Sequence, residues 1–148
     1  MDRFFLLAKV IPVSYNNKKA KPRYKERLKN LARPEAKRQN KYWKKSDGIN
    51  LYARVYYFHK GSREHDADNI SKPVLDSLDE ILYEDDCLVL DRQAVKVDLM
   101  AENGYSLSDE LPSDWYFKLI ESIDKDSDFL FIEVGVISKL AVVFGGKE

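Results

Sequence analysis

Residues 49 to 99 constrain the fold of this chain more than any other stretch. Ile49 to His59 (INLYARVYYFH) sets Ile49, Leu51, Ala53, Val55 and Tyr57 against Tyr52, Arg54, Tyr56 and Phe58. That period of two, with large side chains in both sets, predicts a strand covered on both faces. A polar loop, Lys60 to His65, follows. Ile70, Val74, Leu78, Ile81 and Leu82 then recur at helical spacing, which predicts a helix of 11 to 13 residues over 72–83. Pro73 belongs in its first turn, where a missing N–H costs nothing, with Ser71 or Asn69 as the cap. Leu88 to Leu99 alternates again and predicts the next strand.

The flanks complete an α+β pattern. Phe4 to Ile11 (FFLLAKVI) is a continuous apolar run closed by Pro12, the mark of a buried strand. Between Lys18 and Lys45 lie 13 basic residues with a narrow stripe of Tyr24, Leu28 and Leu31. This predicts a solvent-facing basic helix of roughly 15 residues that ends before Pro34. Ala101 to Asp128 is an acidic connection with one short helix, Ser113 to Ile123, and strands over 129–137 and 140–144 close the chain. Strands and helices in this order, with a long hairpin-like return, predict a mixed β-sheet with helices.

At 148 residues the length suits a single domain spanning 1–148, large enough to bury a core without staples. One cysteine, Cys87, allows no internal disulfide and points to a reducing, cytoplasmic location. It precedes an apolar strand and is expected to be a buried, inert thiol. The first residues lack the order of a signal peptide, and no segment reaches the roughly 20 apolar residues of a membrane span.

A net charge of zero hides a strong asymmetry. Met1 to Lys60 carries 17 Lys/Arg against 4 Asp/Glu, and Gly61 to Glu148 carries 8 against 21. One region suited to phosphate and another suited to divalent cations is the functional reading. Mutual pairing of the two, within one chain or across a dimer, is the bland one. The basic segment, with Lys18, Lys19, Lys21, Arg23, Lys25 and Arg27, is the expected phosphate grip. Neutralising about 5 phosphates per protomer would give a log–log salt slope of roughly −4 to −5.

The densest chemical signal is Asp66-Ala67-Asp68-Asn69, with Glu84-Asp85-Asp86 one helix later. Two aspartates two apart in an extended segment share a face, and hard carboxylate oxygens suit magnesium, which keeps several waters and takes substrate phosphate into its shell. Lys72, four residues after Asp68, stands where its ammonium can meet a phosphate oxygen. The chemistry is metal-assisted phosphodiester hydrolysis with one or two metals. A capped helix start beside solvated acids is the alternative. An EF-hand is excluded because positions five and six would be Ile70 and Ser71. His59 and His65 have no zinc spacing and read as surface or strand-end residues, and no phosphate-cradling glycine loop occurs.

These residues carry a resemblance. Asp66-Ala67-Asp68-Asn69, Lys72-Pro73-Val74-Leu75-Asp76-Ser77-Leu78, Tyr83-Glu84-Asp85-Asp86 and Lys96 resemble the pattern of the RusA family of Holliday-junction resolvases over roughly residues 66 to 98. Pro12-Val13-Ser14-Tyr15-Asn16-Asn17 is similar to that family's element after its first strand. The resemblance implies a RusA-like fold and a homodimer that cuts two opposing strands of a four-way DNA junction in recombination and repair. Mg2+, or Mn2+ in its place, is the implied cofactor, with no small-molecule cofactor and no membrane. It implies Asp66, Asp68 and Asp86 as metal ligands and Lys72 as the catalytic or phosphate-binding lysine, with Asp85 as a neighbouring acid. The connection over 101–128 departs from the family's smaller members. A non-catalytic DNA-binding accessory protein and a nuclease for other branched DNA are the competing readings.

Overall fold

A computed structural model describes residues 2–12, 19–60, 67–102, 104–125 and 128–138, with residues 67–69 described through their backbone. The elements run β1 (Arg3–Ala8), α1 (Lys21–Arg38), β2 (Leu51–His59), α2 (Ala67–Leu78), β3 (Val89–Asp98), α3 (Ser113–Lys125) and β4 (Phe129–Val136), with 3-10 turns at Lys45–Asp47 and Asp86–Leu88. The expected strand over 140–144 lies outside the described residues. The four strands form one sheet in the order β1-β4-β2-β3. The β2–β3 pair is parallel, and the β1–β4 and β2–β4 pairs are antiparallel. The sheet is therefore mixed. A parallel pair cannot be joined by a tight turn, and α2 supplies the crossover.

Alternation assigns the two faces. Phe4, Leu6, Leu51, Val55, Tyr57, Leu130, Ile132 and Val134 point to one side and pack against Tyr24, Leu28, Ala32 and Ala36 of α1 and Ile70, Val74, Leu75 and Leu78 of α2. On the other side Phe5, Phe58, Phe129 and Phe131 meet Trp115 and Leu119 of α3. Both faces of β2 are covered, as its pattern requires. His59 ends β2 and is buried beside Tyr57, their ring centroids 5.2 Å apart.

Three local expectations are corrected. α1 continues through Pro34 to Arg38, although an interior proline removes one hydrogen bond of the helix. Tertiary contacts keep the helix going: Ala36 packs in the core and Leu31 turns outward. Just past the last turn, the Gln39 side chain donates to the Phe5 carbonyl (2.8 Å) and accepts from the Phe5 N–H (3.1 Å). β1 is an edge strand, and Gln39 satisfies backbone groups that the edge would leave open.

α2 starts at Ala67 and stops at Leu78, so Pro73 lies inside it and neither Ser71 nor Asn69 is its cap. The stop is tertiary as well. Trp43 donates to the Leu82 carbonyl (3.0 Å) and accepts from Glu84 N–H (2.9 Å), so the backbone over 82–84 is already engaged. Glu80 adopts a left-handed φ of 67° where the chain turns. Cys87 is exposed, not buried. The 3-10 turn at Asp86–Leu88 directs Leu88 inward and leaves the thiol outside.

On the second face Tyr52 lies across Gly135, where a Cβ would sit 2.7 Å from the Tyr52 ring. The ring is held by its hydrogen bond to Glu133 and by Arg54 above it at 4.6 Å. Gly135→Ala is expected to displace the ring and destabilise the fold by about 1–2 kcal/mol. In a Tyr52→Ala background the same change costs little, so a double-mutant cycle of chemical denaturation reads the coupling directly.

Candidate metal and nucleic-acid site

The acids near the C-terminal end of α2 are held in different ways. Asp85 caps the 3-10 turn, accepting from Cys87 N–H at 2.9 Å, and pairs with Lys45 at 3.1 Å. The backbone N–H of Cys87 and then the Lys45 ammonium hold its carboxyl down to about 2. A depressed carboxyl favours the folded state above the ordinary unfolded value, and that contribution is lost as pH falls toward 2. Asp79 behaves oppositely. Its Oδ1 is buried without a hydrogen-bond partner among the described residues. Burial, and then the negative charges of Asp86, Asp85 and Glu80, raise its pKa, so its ionisation costs stability as pH rises.

Asp86 differs from both. Among the described residues its carboxylate makes no hydrogen bond or ion pair, and its side chain is partly exposed. Its backbone is fixed instead. Arg92 donates to the carbonyls of Asp86 (2.9 Å) and Val89 (3.1 Å), which locks the entry to β3. Tyr83 braces the same corner by donating to the Leu75 carbonyl at 2.6 Å. Asp79 and Arg92 are the residues that sequence reading missed, because neither lies in a recognisable spacing.

The proposed ligands fall at the two ends of one helix. Asp66 lies outside the described residues. Asp68 has helical backbone in the first turn of α2, so the extended geometry expected for it does not apply. From Asp68 to Leu78, where α2 ends ahead of the corner that carries Asp86, the helix rises about 15 Å. The sheet agrees: α2 follows His59, which pairs with Asp98, and Asp86 precedes Val89, which pairs with Leu51 at the other end of β2. No group of three or more His, Cys, Asp or Glu side chains converges among the described residues.

Lys72 lies on α2 with Nζ 3.5 Å from Asp76 Oδ1, its side chain about half exposed. Lys25 reaches the other oxygen of Asp76 at 3.3 Å. Lys25 thus ties α1 to α2. Lys19, Arg23 and Arg27 are exposed, with Arg27 donating to the Lys9 carbonyl at 3.4 Å, and Lys21 is partly exposed. Lys18 and most of the 12–17 element lie outside the described residues. Arg33 and Lys37 extend the exposed basic face along α1. Among the described residues no helix is long and apolar enough to cross a membrane.

Residues 9–103, well over half of the chain, match the sequence model of the family described as Endodeoxyribonuclease RusA. No curated protein matches the chain. The matched span contains α1, β2, α2 and β3, and leaves β1, α3 and β4 outside.

Proposed function

The chain belongs to the RusA endodeoxyribonuclease family, and from that premise we propose that residues 1–148 act as one magnesium-dependent endonuclease domain, paired as a homodimer, that resolves four-way DNA junctions. The observation that carries the reading is Asp86, whose carboxylate is uncommitted among the described residues and whose backbone Arg92 fixes, beside Asp85, which Lys45 engages. Asp66, Asp68 and Asp86 would hold Mg2+ or Mn2+, whose preference for hard oxygen fits this donor set. When bound, the cation polarises the scissile phosphoryl group and makes water a better nucleophile.

The length of α2 between Asp68 and Asp86 supports sites shared between protomers. Asp66 and Asp68 of one protomer would act with Asp86 of the partner subunit. Two-fold symmetry then yields two equivalent sites, which suits paired nicks on opposing strands. Lys72 would exchange Asp76 for the scissile phosphate and orient it. Lys19 and the exposed basic face of α1, Arg23 and Arg27 included, would hold the arms of the junction through phosphate contacts, which position without specifying sequence.

The test compares a synthetic four-way junction with a matched duplex, with magnesium or with chelator, using wild type, Asp68→Asn and Lys72→Ala. Paired symmetric nicks are expected on the junction alone. Asp68→Asn should bind the junction and cut at least about a thousandfold more slowly. Lys72→Ala should bind nearly as well and cut about 10- to 100-fold more slowly. Tight junction binding by the wild type with no cleavage in any divalent cation would replace this reading with that of an accessory protein.

A further inference from the structure

A cleft of about 260 Å3 lies on the face of the sheet remote from α1 and α2. Its floor is built by cross-strand neighbours: Glu133 opposite Arg54, and Phe131 opposite Tyr56. Segment 105–111 and α3 form its roof and wall. That roof lies beyond the span matched by the family model, which ends at residue 103.

The chemistry of the lining is unusual for a sheet face under a helix. Tyr56 and Phe131, with ring centroids 6.2 Å apart, form an aromatic floor. Glu133 is 8% exposed, and the two bonds it accepts, from Tyr52 O–H and from Arg3 Nη1 at 3.4 Å, both end on Oε2. Among the described residues Oε1 takes none. Arg3 Nε is buried with no hydrogen-bond partner among the described residues. Arg54 lies over the Tyr52 ring at 4.6 Å and has no carboxylate partner among the described residues.

A buried donor left unsatisfied is costly, and a guanidinium beside an open carboxylate oxygen offers a donor and an acceptor side by side. The volume falls just below the roughly 300–1,000 Å3 of drug-sized pockets. It suits one small planar group. A nucleobase matches on every count: a π-face for the aromatic floor, edge acceptors for arginine and edge N–H groups for carboxylate. Guanine fits best, because O6 and N7 take an arginine fork while N1–H and the 2-amino group can donate to a carboxylate.

We propose that this cleft binds a single nucleobase, guanine in preference to the others, stacked on Tyr56 and read at its edge by Arg54 and Glu133. The base can come from a free nucleoside or from an unstacked position in a DNA strand. The assignment does not depend on the endonuclease reading, since it uses none of the residues placed in that site.

Calorimetric titration of the full chain with guanosine, adenosine, cytidine and thymidine tests it. So does titration with an otherwise abasic single strand carrying one guanine, against the fully abasic strand. Guanosine is expected to bind about tenfold more tightly than adenosine, and Arg54→Leu to weaken guanosine by about tenfold or more. Ser108→Trp, an exposed roof position chosen to fill the cleft at the cost of one exposed bond, from Glu110 N–H to Ser108 Oγ (3.1 Å), should abolish binding while lowering the melting temperature by no more than about 2–4 °C. Binding of the guanine strand, with guanosine silent, would identify the source as DNA. Silence of guanosine together with equal binding of the two strands overturns the proposal, as do equal affinities for the four nucleosides or unchanged guanosine binding in Ser108→Trp.

Discussion

Mixing an Asp68→Asn protein with an Asp86→Asn protein is expected to restore nicking of a four-way junction, although neither variant cuts alone. If Asp68 of one protomer works with Asp86 of the other, the mixed dimer contains one site with both substitutions and one site with neither. Random exchange makes about half the dimers mixed, each with one intact site, so total nicking should recover to roughly a quarter of the wild-type level. The recovered products should be single nicks, because only one strand of each junction faces a working site. The physical basis is the rise of about 15 Å along α2 from Asp68 to Leu78, which no aspartate side chain spans. No recovery after verified subunit exchange would exclude shared sites. Each protomer would then have to bring Asp86 to Asp68 by a rearrangement of the corner around Glu80.

Phe131→Ala should lower stability by about 3–5 kcal/mol. Phe131 is 4% exposed and stands at the centre of the second apolar layer. It stacks with Phe5 at 5.7 Å and meets Trp115 at 6.1 Å and Tyr56 at 6.2 Å. Removing the ring opens a cavity between rigid aromatic neighbours that cannot collapse into it. For a chain of this length the loss corresponds to a fall in melting temperature of roughly 10–15 °C. A drop of under a few degrees would mean that α3 contributes little to the sheet. Far-ultraviolet and near-ultraviolet melts recorded together would show whether α3 leaves before the sheet does.

Much of the architecture was legible before the structure. The alternations at Ile49 to His59 and Leu88 to Leu99 became β2 and β3 within about two residues, and the mixed sheet followed from the element order. The errors share one cause. Leu82 keeps helical spacing with Val74 and Leu78, yet its carbonyl is taken by Trp43, far away in the chain. Pro34 reads as a stop, yet Ala36 is buried beyond it and Gln39 closes the edge of β1. Local propensity lost to hydrogen bonds and burial supplied by distant segments.

The candidate site divides in the same way. The carboxylates, the nearby lysine and the basic first third were visible as residues, and with them the class of chemistry. Which acids remain uncommitted was not visible. Asp85 is held by Lys45, Asp79 is strained by burial, and Asp86 is left open among the described residues. The nucleobase cleft was entirely hidden, since Arg3, Arg54 and Glu133 are separated by most of the chain.

By itself the sequence determined the periods, and hence the strands, most of the helices, the two faces of β2 and the donor chemistry, because these depend on residues a few positions apart. Only the tertiary structure decided register and neighbourhood: that Lys45 pairs with Asp85, and that β4 inserts between β1 and β2 to bring Glu133 beside Arg54. Those choices are set by backbone pairing between segments remote in the chain and by the shapes that fill the space between sheet and helices. No local pattern carries that information.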